Sequence, residues 1–262
     1  METAEKSKQD LVANAIRSMD TALAAPVPWT DREKLALLCQ ICADEELDSG
    51  LAGQITIRGE KPGTYYTQPF GLPMDEIHAG NILLVDSDLN VLEGKGMANA
   101  ATRFHIWIYN DRPDVRCIIH THPFHVTALS MLEVPLEVSV MDSCVLYDNC
   151  AFLKEWPGIP VGNEEGILIS GALGDKRAIL LAHHGMLVAT TTPEEAFVLA
   201  SQMERTAKLQ LAAMSAGTIK PIDPALGREA RDWILTPKRT QRTFQAAAQR
   251  TLRRHPECLS LP

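Results

Sequence analysis

Cys117-Ile118-Ile119-His120-Thr121-His122-Pro123 is the stretch on which the interpretation of this chain turns. The apolar run leading into it, Val115 to Ile119 interrupted only by Arg116, has the composition of a buried strand. Side chains alternate faces along a strand, so His120 and His122 project to one side and can grip a single ion together. Two hydrogen-bonded core histidines would have the same spacing, and the motif alone leaves both readings open. A second, almost wholly apolar stretch, Ala178 to Ala189, is broken at its middle by His183-His184-Gly185. Burying two imidazoles there without partners is costly. Adjacent strand residues face opposite ways, so one of the two is expected to meet the first pair. The expected ligand set is His120, His122 and His184. Neutral imidazole is a common ligand for zinc, iron and other first-row divalent ions, and three such ligands leave positions open for water or substrate.

Size and charge restrict the classes of function. At 262 residues and 45% hydrophobic content, the chain can bury one large α/β core with helical additions at its ends. The apolar stretches fall short of the roughly 18 residues that a membrane span needs, and the polar stretch Met1 to Asp10 is unlike a signal sequence. No membrane partner and a cytoplasmic location are therefore expected. A net charge of −8 argues against a nucleic-acid partner, because phosphate backbones demand a positive surface. The exception is local: Lys238, Arg239, Arg242, Arg250, Arg253 and Arg254 make the last stretch basic, as a solvated helix face, a subunit contact or a place for an anion would. Six cysteines are too few for a disulfide scaffold in a chain of this length. Cys39 and Cys42 form a C-x-x-C, but inside an amphipathic helical pattern, which assigns them to core packing.

Punctuation along the chain sets the order of elements. A weak helix over Lys8 to Leu23 is closed off by Pro26 and Pro28, and Thr30-Asp31-Arg32-Glu33 is a capping box opening a helix to about Leu47. Strands are expected at Gln54 to Arg58, Tyr65 to Gln68, Ile82 to Asp86 and Val91 to Glu93. Asn99 should cap a helix running through Tyr109, ended by Asp111-Arg112-Pro113. After the His-X-His strand come a further strand near Leu136 to Met141, a loop-rich stretch around Trp156 to Pro160, a short helix over Glu164 to Leu173, and a strand pair turning near His184-Gly185. Thr192-Pro193-Glu194-Glu195 then opens a long helix, with proline at its first position and acids in its first turn. Pro221 to Pro262 reads as one or two more helices. Strands in hairpin-like groups with helices between them predict a mixed or largely antiparallel sheet covered by helices. Neither a P-loop, a complete G-x-G-x-x-G nor a G-x-S-x-G motif is present.

Three segments in combination resemble the class II aldolase/adducin family over roughly residues 30 to 215: Arg103 to Val115 before the strand, His120-Thr121-His122, and His184-Gly185-Met186-Leu187-Val188 followed by Thr192 to Phe197. The resemblance implies an α/β fold of three αβα layers, with a central, largely antiparallel sheet flanked by helices. It implies a homotetramer with active sites at subunit boundaries, and a divalent ion (Zn, Mn or Fe) on His120, His122 and His184. It divides the chain into an N-terminal helical extension (1–29), an aldolase/adducin-like catalytic domain (30–217) and a C-terminal helical extension (218–262). His183 stands where relatives often carry Asn and is assigned to support. Pro69-Phe70-Gly71-Leu72 is similar to the segment where members carry a substrate-contacting turn. Sugar-phosphate aldolases of the family place a Glu nineteen residues before the first metal histidine; here that position is Ala101. Their phosphate-binding residues are altered too, at Gln54 and at Asn99-Ala100, which argues against a phosphorylated sugar.

The chemistry expected of such a site is cleavage of a C–C bond beside a carbonyl or carboxylate, of decarboxylase or aldolase type, in a non-phosphorylated carboxylate. With Ala101 unable to carry a proton, candidate groups are Tyr147, Asp148, His125, His105, Tyr65 and Tyr66, of which His125 and Tyr147 are preferred. Arg58 is the candidate for pairing with a substrate carboxylate, although an arginine at a strand end is commonplace. Two other functions remain open. One is a three-histidine non-haem iron oxygenase carrying out oxidative decarboxylation of a 2-oxo or aromatic acid. The other is a non-catalytic, adducin-like interaction module, which should show degraded metal ligands.

Overall fold

In a computed structural model, described here for residues 6–23 and 25–261, eight strands form one sheet in the order β4-β3-β2-β1-β5-β8-β7-β6. The strands are β1 (Gln54–Arg58), β2 (Thr64–Thr67), β3 (Leu83–Asp86), β4 (Val91–Glu93), β5 (Cys117–Thr121), β6 (Cys150–Leu153), β7 (Ala178–Leu181) and β8 (Gly185–Thr190). Every neighbouring pair is antiparallel except β6 and β7. Helices cover both faces, as expected of the family's three layers.

Alternation along β5 builds the two cores. Cys117 and Ile119 face the larger one with Ile55, Ile57, Met186 and Val188, beneath α2 (Asp31–Asp44), α4 (Phe124–Ser130), α6 (Pro193–Met214) and α8 (Pro237–Arg254). Ile118 faces the smaller core with Leu187, Ala189 and Ile179, beneath α3 (Arg103–Asp111) and α5 (Asn163–Leu173). His120 follows the parity of Ile118. Its ring meets Phe104 of α3 edge-on, with centroids 5.0 Å apart, so the period-2 pattern of one strand places the first histidine against the smaller layer.

Several boundaries follow local chemistry. Thr30 and Glu33 form the reciprocal capping box of α2, and the Thr192 hydroxyl accepts from the Glu195 N–H to cap α6. Asn99 caps a 3-10 turn over Ala100–Thr102, and only after it does α3 begin, at Arg103. No strand forms near Leu136 to Met141. There the backbone is engaged by a side chain: the Gln210 amide of α6 donates to the Pro135 carbonyl (3.0 Å), and its oxygen accepts from the Glu137 N–H (2.8 Å). Leu136 and Val138 still pack on the core, so the alternation that suggested a strand reports burial rather than sheet pairing. The strand between β5 and β7 in the chain is instead β6, Cys150–Leu153, which pairs with β7 in register from Cys150 opposite Ala178 to Leu153 opposite Leu181.

The C-terminal stretch adds α7 (Pro224–Ile234) and α8. Phe244, Ala247, Ala248 and Cys258 complete the larger core, so this extension packs as part of it. Its basic side chains meet the acidic end of α2, with Arg250 at 2.7 Å from Glu45 and Arg254 at 3.3 Å from Asp44. The helix α1 (Lys8–Ala22) buries no residue fully. All six cysteines are free, and burial pushes the Cys39 and Cys42 thiols well above their ordinary range, in keeping with packing rather than redox work. Among the described residues no helix is long and apolar enough to cross a membrane.

Candidate metal centre

Three imidazoles converge at one end of the β5–β8 pair. The potential ligand atoms of His120, His122 and His184 all lie within 4.8 Å of one another. Ring centroids are 4.8 Å apart for His120–His122 and His120–His184, and 4.7 Å for His122–His184. The tautomer of the first is fixed by its surroundings: Nδ1 of His120 lies 2.8 Å from the Met186 carbonyl and donates to it, leaving the Nε2 lone pair directed at the cluster. Nε2 of His122 lies 3.0 Å from Nε2 of His120, a spacing that two nitrogens about 2.1 Å from a common ion can span.

Electrostatics favour the metal-binding form. His120 is held well below the ordinary imidazole range by burial, then by His184 and His122. His184 is pushed down to about 4 by burial and by His122, and burial lowers His122 as well. Neutral rings crowded together, with lone pairs aimed at one point and no carboxylate among them, form a donor set that fits a divalent cation.

His183 and His184 are separated by a turn rather than by strand alternation. His183 has φ 55°, in the left-handed region, and its Nε2 lies 3.1 Å from Glu133, itself left-handed at φ 51°. This turn swings the two neighbouring rings apart and leaves His184 with the trio. Gly185, the next residue, faces β5 so closely that a Cβ there would lie 2.6 Å from both the Thr121 carbonyl oxygen and Cδ2 of His122.

Above the trio lies a cavity of about 370 Å³. Ala101, Gln54, Asn99 and His183 line it with the three histidines, and its other walls come from residues 51–53, Phe70, Trp156 and the 158–160 loop. Phe70 of the quoted turn therefore does reach the site. Trp156 and Ile159 carried no sequence signal beyond their loop-like surroundings, because loop residues reach a site without any periodic pattern.

His125, Tyr147 and Arg58 are placed away from this cavity within the chain. His125 sits at the start of α4, where Glu204 of α6 accepts from its backbone N–H (3.1 Å) and approaches its Nδ1 to 2.5 Å. Tyr147 packs its ring on Gly227 of α7. Arg58 donates from Nε to the Val115 carbonyl (2.6 Å) and from Nη2 to those of Tyr109 (2.6 Å) and Arg112 (3.1 Å), with its guanidinium 4.5 Å from the Tyr109 ring centroid. These contacts bind β1 to the end of α3, and Arg58 is not among the residues that line the cavity. Arg58→Ala is accordingly expected to lower stability by about 2–3 kcal/mol, since charge-assisted hydrogen bonds to buried carbonyls are lost, while metal content stays unchanged; a denaturant titration with metal analysis checks both. The remaining proton-transfer candidates also serve the fold. Nδ1 of His105 lies 2.9 Å from the Thr56 hydroxyl, Tyr65 stacks on Tyr109 at 4.8 Å, Tyr66 lies under Arg32 at 5.1 Å, and Asp148 pairs with Arg228 at 3.2 Å.

Comparison with known proteins agrees with this geometry. Residues 33–211 match the family described as Class II Aldolase and Adducin N-terminal domain. The Meiotically up-regulated gene 14 protein of Schizosaccharomyces pombe is 29% identical over 191 residues, 71% of this chain and 74% of that protein. The 4-hydroxy-3-prenylphenylpyruvate oxygenase/4-hydroxy-3-prenylbenzoate synthase of Streptomyces roseochromogenus is 27% identical over 215 residues, 81% of this chain and 78% of that protein. Among solved structures, an L-fuculose 1-phosphate aldolase from Glaciozyma antarctica superposes with a TM-score of 0.81 at 28% identity, covering 91% of this chain and 98% of that one.

Proposed function

The chain belongs to the class II aldolase and adducin family, and from that premise we propose that it is a divalent-metal-dependent carbon–carbon lyase, of decarboxylase or aldolase type, acting on a non-phosphorylated, carboxylate-bearing small molecule. The observation that carries this reading is the convergence of three neutral imidazoles at the floor of a cavity. His120, His122 and His184 hold the ion. Bound there, it supplies a Lewis acid for a carbonyl or carboxylate oxygen beside the breaking bond. The Met186 carbonyl fixes the tautomer and ring plane of His120, and the His183–Glu133 contact holds the turn that presents His184. Ala101 offers the cavity a methyl group where sugar-phosphate aldolases have their Glu, and most of the other walls are apolar. An interaction module without chemistry is expected to show degraded ligands, whereas all three histidines are present here, and the metal content of the purified protein decides between the two. A homotetramer with the cavity at a subunit boundary belongs to the same proposal. It is supported by the exposed apolar side chains beside the His-X-His strand, Phe124 at 76% and Met131 at 66%.

A second reading, a non-haem iron oxygenase on the same trio, is favoured by the lack of a carboxylate ligand and by the oxygenase named above, whose likeness extends over 81% of the chain. The two part on oxygen. Protein loaded with Zn, Mn or Fe(II) is assayed on aryl and alkyl 2-oxo acids with and without dioxygen. Turnover without oxygen on Mn or Zn is the expected result; a strict need for oxygen and ferrous iron replaces the lyase by the oxygenase.

A further inference from the structure

The entry to β1 is fixed from two sides. Gly53, with φ 95°, lies so close to β5 that a Cβ there would come within 2.8 Å of the His120 carbonyl oxygen. The Gln68 amide grips the backbone on either side of the next residue, its Oε1 accepting from the Ile55 N–H (3.0 Å) and its Nε2 donating to the Gly53 carbonyl (3.2 Å). Between those two contacts stands Gln54, directly opposite His120 in the β1–β5 register. Cross-strand partners project to the same face at contact distance, so the Gln54 side chain is set beside the first imidazole of the trio.

That side chain is bonded at neither end. Gln54 is 3% exposed and lines the cavity, its Oε1 is buried without a partner, and its Nε2 makes no hydrogen bond among the described residues. The polar neighbours around the trio are engaged: Oδ1 of Asn99 accepts from the Ala101 N–H (3.0 Å), and Nε2 of His183 lies on Glu133 (3.1 Å). A buried amide with no bonds disfavours the folded state, and an apolar side chain of the same shape would be neutral or stabilising there. Packing alone gives no reason for glutamine. An ion on three neutral imidazoles, by contrast, keeps its full positive charge and draws anionic oxygens to its open positions. An N–H beside such an oxygen makes a charge-assisted hydrogen bond. A neighbouring copy closing the mouth at Phe70, Trp156 and Ile159 leaves this arrangement as it is, because Gln54 is already enclosed by its own chain.

We propose that Gln54 orients the anion that takes the open position of the metal centre: its Nε2 donates to an oxygen of that anion, and the fold carries an unsatisfied amide in order to present it. Gln68 and Gly53 act through Gln54, fixing its backbone so that the donor is in place before the anion arrives. The inference rests on the metal-site reading above and adds a function for a residue that holds neither the ion nor the strand.

The test loads full-length protein with Co(II) and follows the visible absorption of the ion during titration with acetate and, separately, with 1-methylimidazole, a neutral ligand that offers no oxygen to an N–H. Wild type is compared with Gln54→Met and Gln54→Leu, and metal content, oligomeric state and the denaturant midpoint of the metal-free protein are measured on each. Both variants are expected to bind acetate roughly tenfold more weakly and 1-methylimidazole as wild type does. Metal content and oligomeric state should be unaltered, and the midpoint should equal or exceed that of wild type. Unchanged acetate affinity overturns the proposal while leaving the metal site standing. So does an equal loss for both ligands, which would mean that the ion itself had shifted. A lowered midpoint, a failure to fold or a changed oligomer in both variants also overturns it, by showing that the amide serves the fold or a subunit contact. A wild-type protein that takes up no metal overturns the reading of the trio, and this inference with it.

Discussion

Replacing His184 by alanine is expected to leave a folded protein with almost no bound metal and no measurable turnover, and His120→Ala should do the same. Changing a group that merely supports a ligand typically costs 10–100-fold in metal affinity, so deletion of a ligand itself should exceed a hundredfold. Two nitrogens cannot replace three, and among the described residues no carboxylate lines the cavity to take the empty place. His184 is partly exposed at the end of a turn, so its truncation opens no large core void. Elemental analysis of chelator-free protein, with circular dichroism as the control for folding, reads out both halves. Stoichiometric metal in His184→Ala would remove that residue from the ligand set. The same rings set a pH limit. Because burial pushes His184 down to about 4 and also lowers His120 and His122, protons compete little for the trio at neutral pH, and metal should be retained at pH 7 and lost as the pH falls towards 4. The sign is that of bases whose folded values lie below about 6.5: the neutral, binding form is kept above the depressed value and lost beneath it.

Gly185→Ala should weaken metal binding roughly 10–100-fold without touching a ligand. The added methyl would lie 2.6 Å from Cδ2 of His122 and equally close to the Thr121 carbonyl, and one of these contacts is backbone at the end of the β5–β8 pair. Relief requires turning the His122 ring or parting the strands, and either moves a nitrogen off the common point. The accompanying loss of stability is about 1–3 kcal/mol, the usual scale for overpacking. Gly171→Ala is the control: a Cβ there meets nothing within 4 Å on helix α5, so the change should leave metal binding alone and favour the helix slightly. Metal affinities that fall alike in both variants would show that Gly185 has no special part in setting the His122 ring.

The contributions of sequence and structure separate along physical lines. Caps, prolines and apolar periods are local, which is why the capping box of α2, the Thr192 cap of α6 and the β7–β8 pair were legible, with α2 ending at Asp44, three residues before the expected Leu47. The alternation at Leu136 and Val138 misled because side-chain burial has the same period whether a strand pairs or its backbone is held by Gln210. Cys150–Leu153 carried too short a pattern to stand out from its loop-rich neighbours, and it is a strand only because β7 lies beside it.

The site divides in the same way. Two histidines one residue apart on an apolar strand, and a third before a glycine in another, were enough for the sequence to nominate His120, His122 and His184, since strand parity is a property of the chain itself. The partners of charged and polar side chains are not. Arg58 is spent on three carbonyls, His125 on Glu204 and Tyr147 on Gly227, while Gln54, mentioned in the sequence only as an altered position, is the amide left without a partner beside His120. Sequence determined which groups could ligate and that two strands would bring them together, although only His120 lies within a strand, His122 following β5 and His184 closing the turn into β8. Which polar groups remained free for a substrate was decided by the tertiary structure, because hydrogen bonds are allotted among residues distant along the chain only when the layers close on one another.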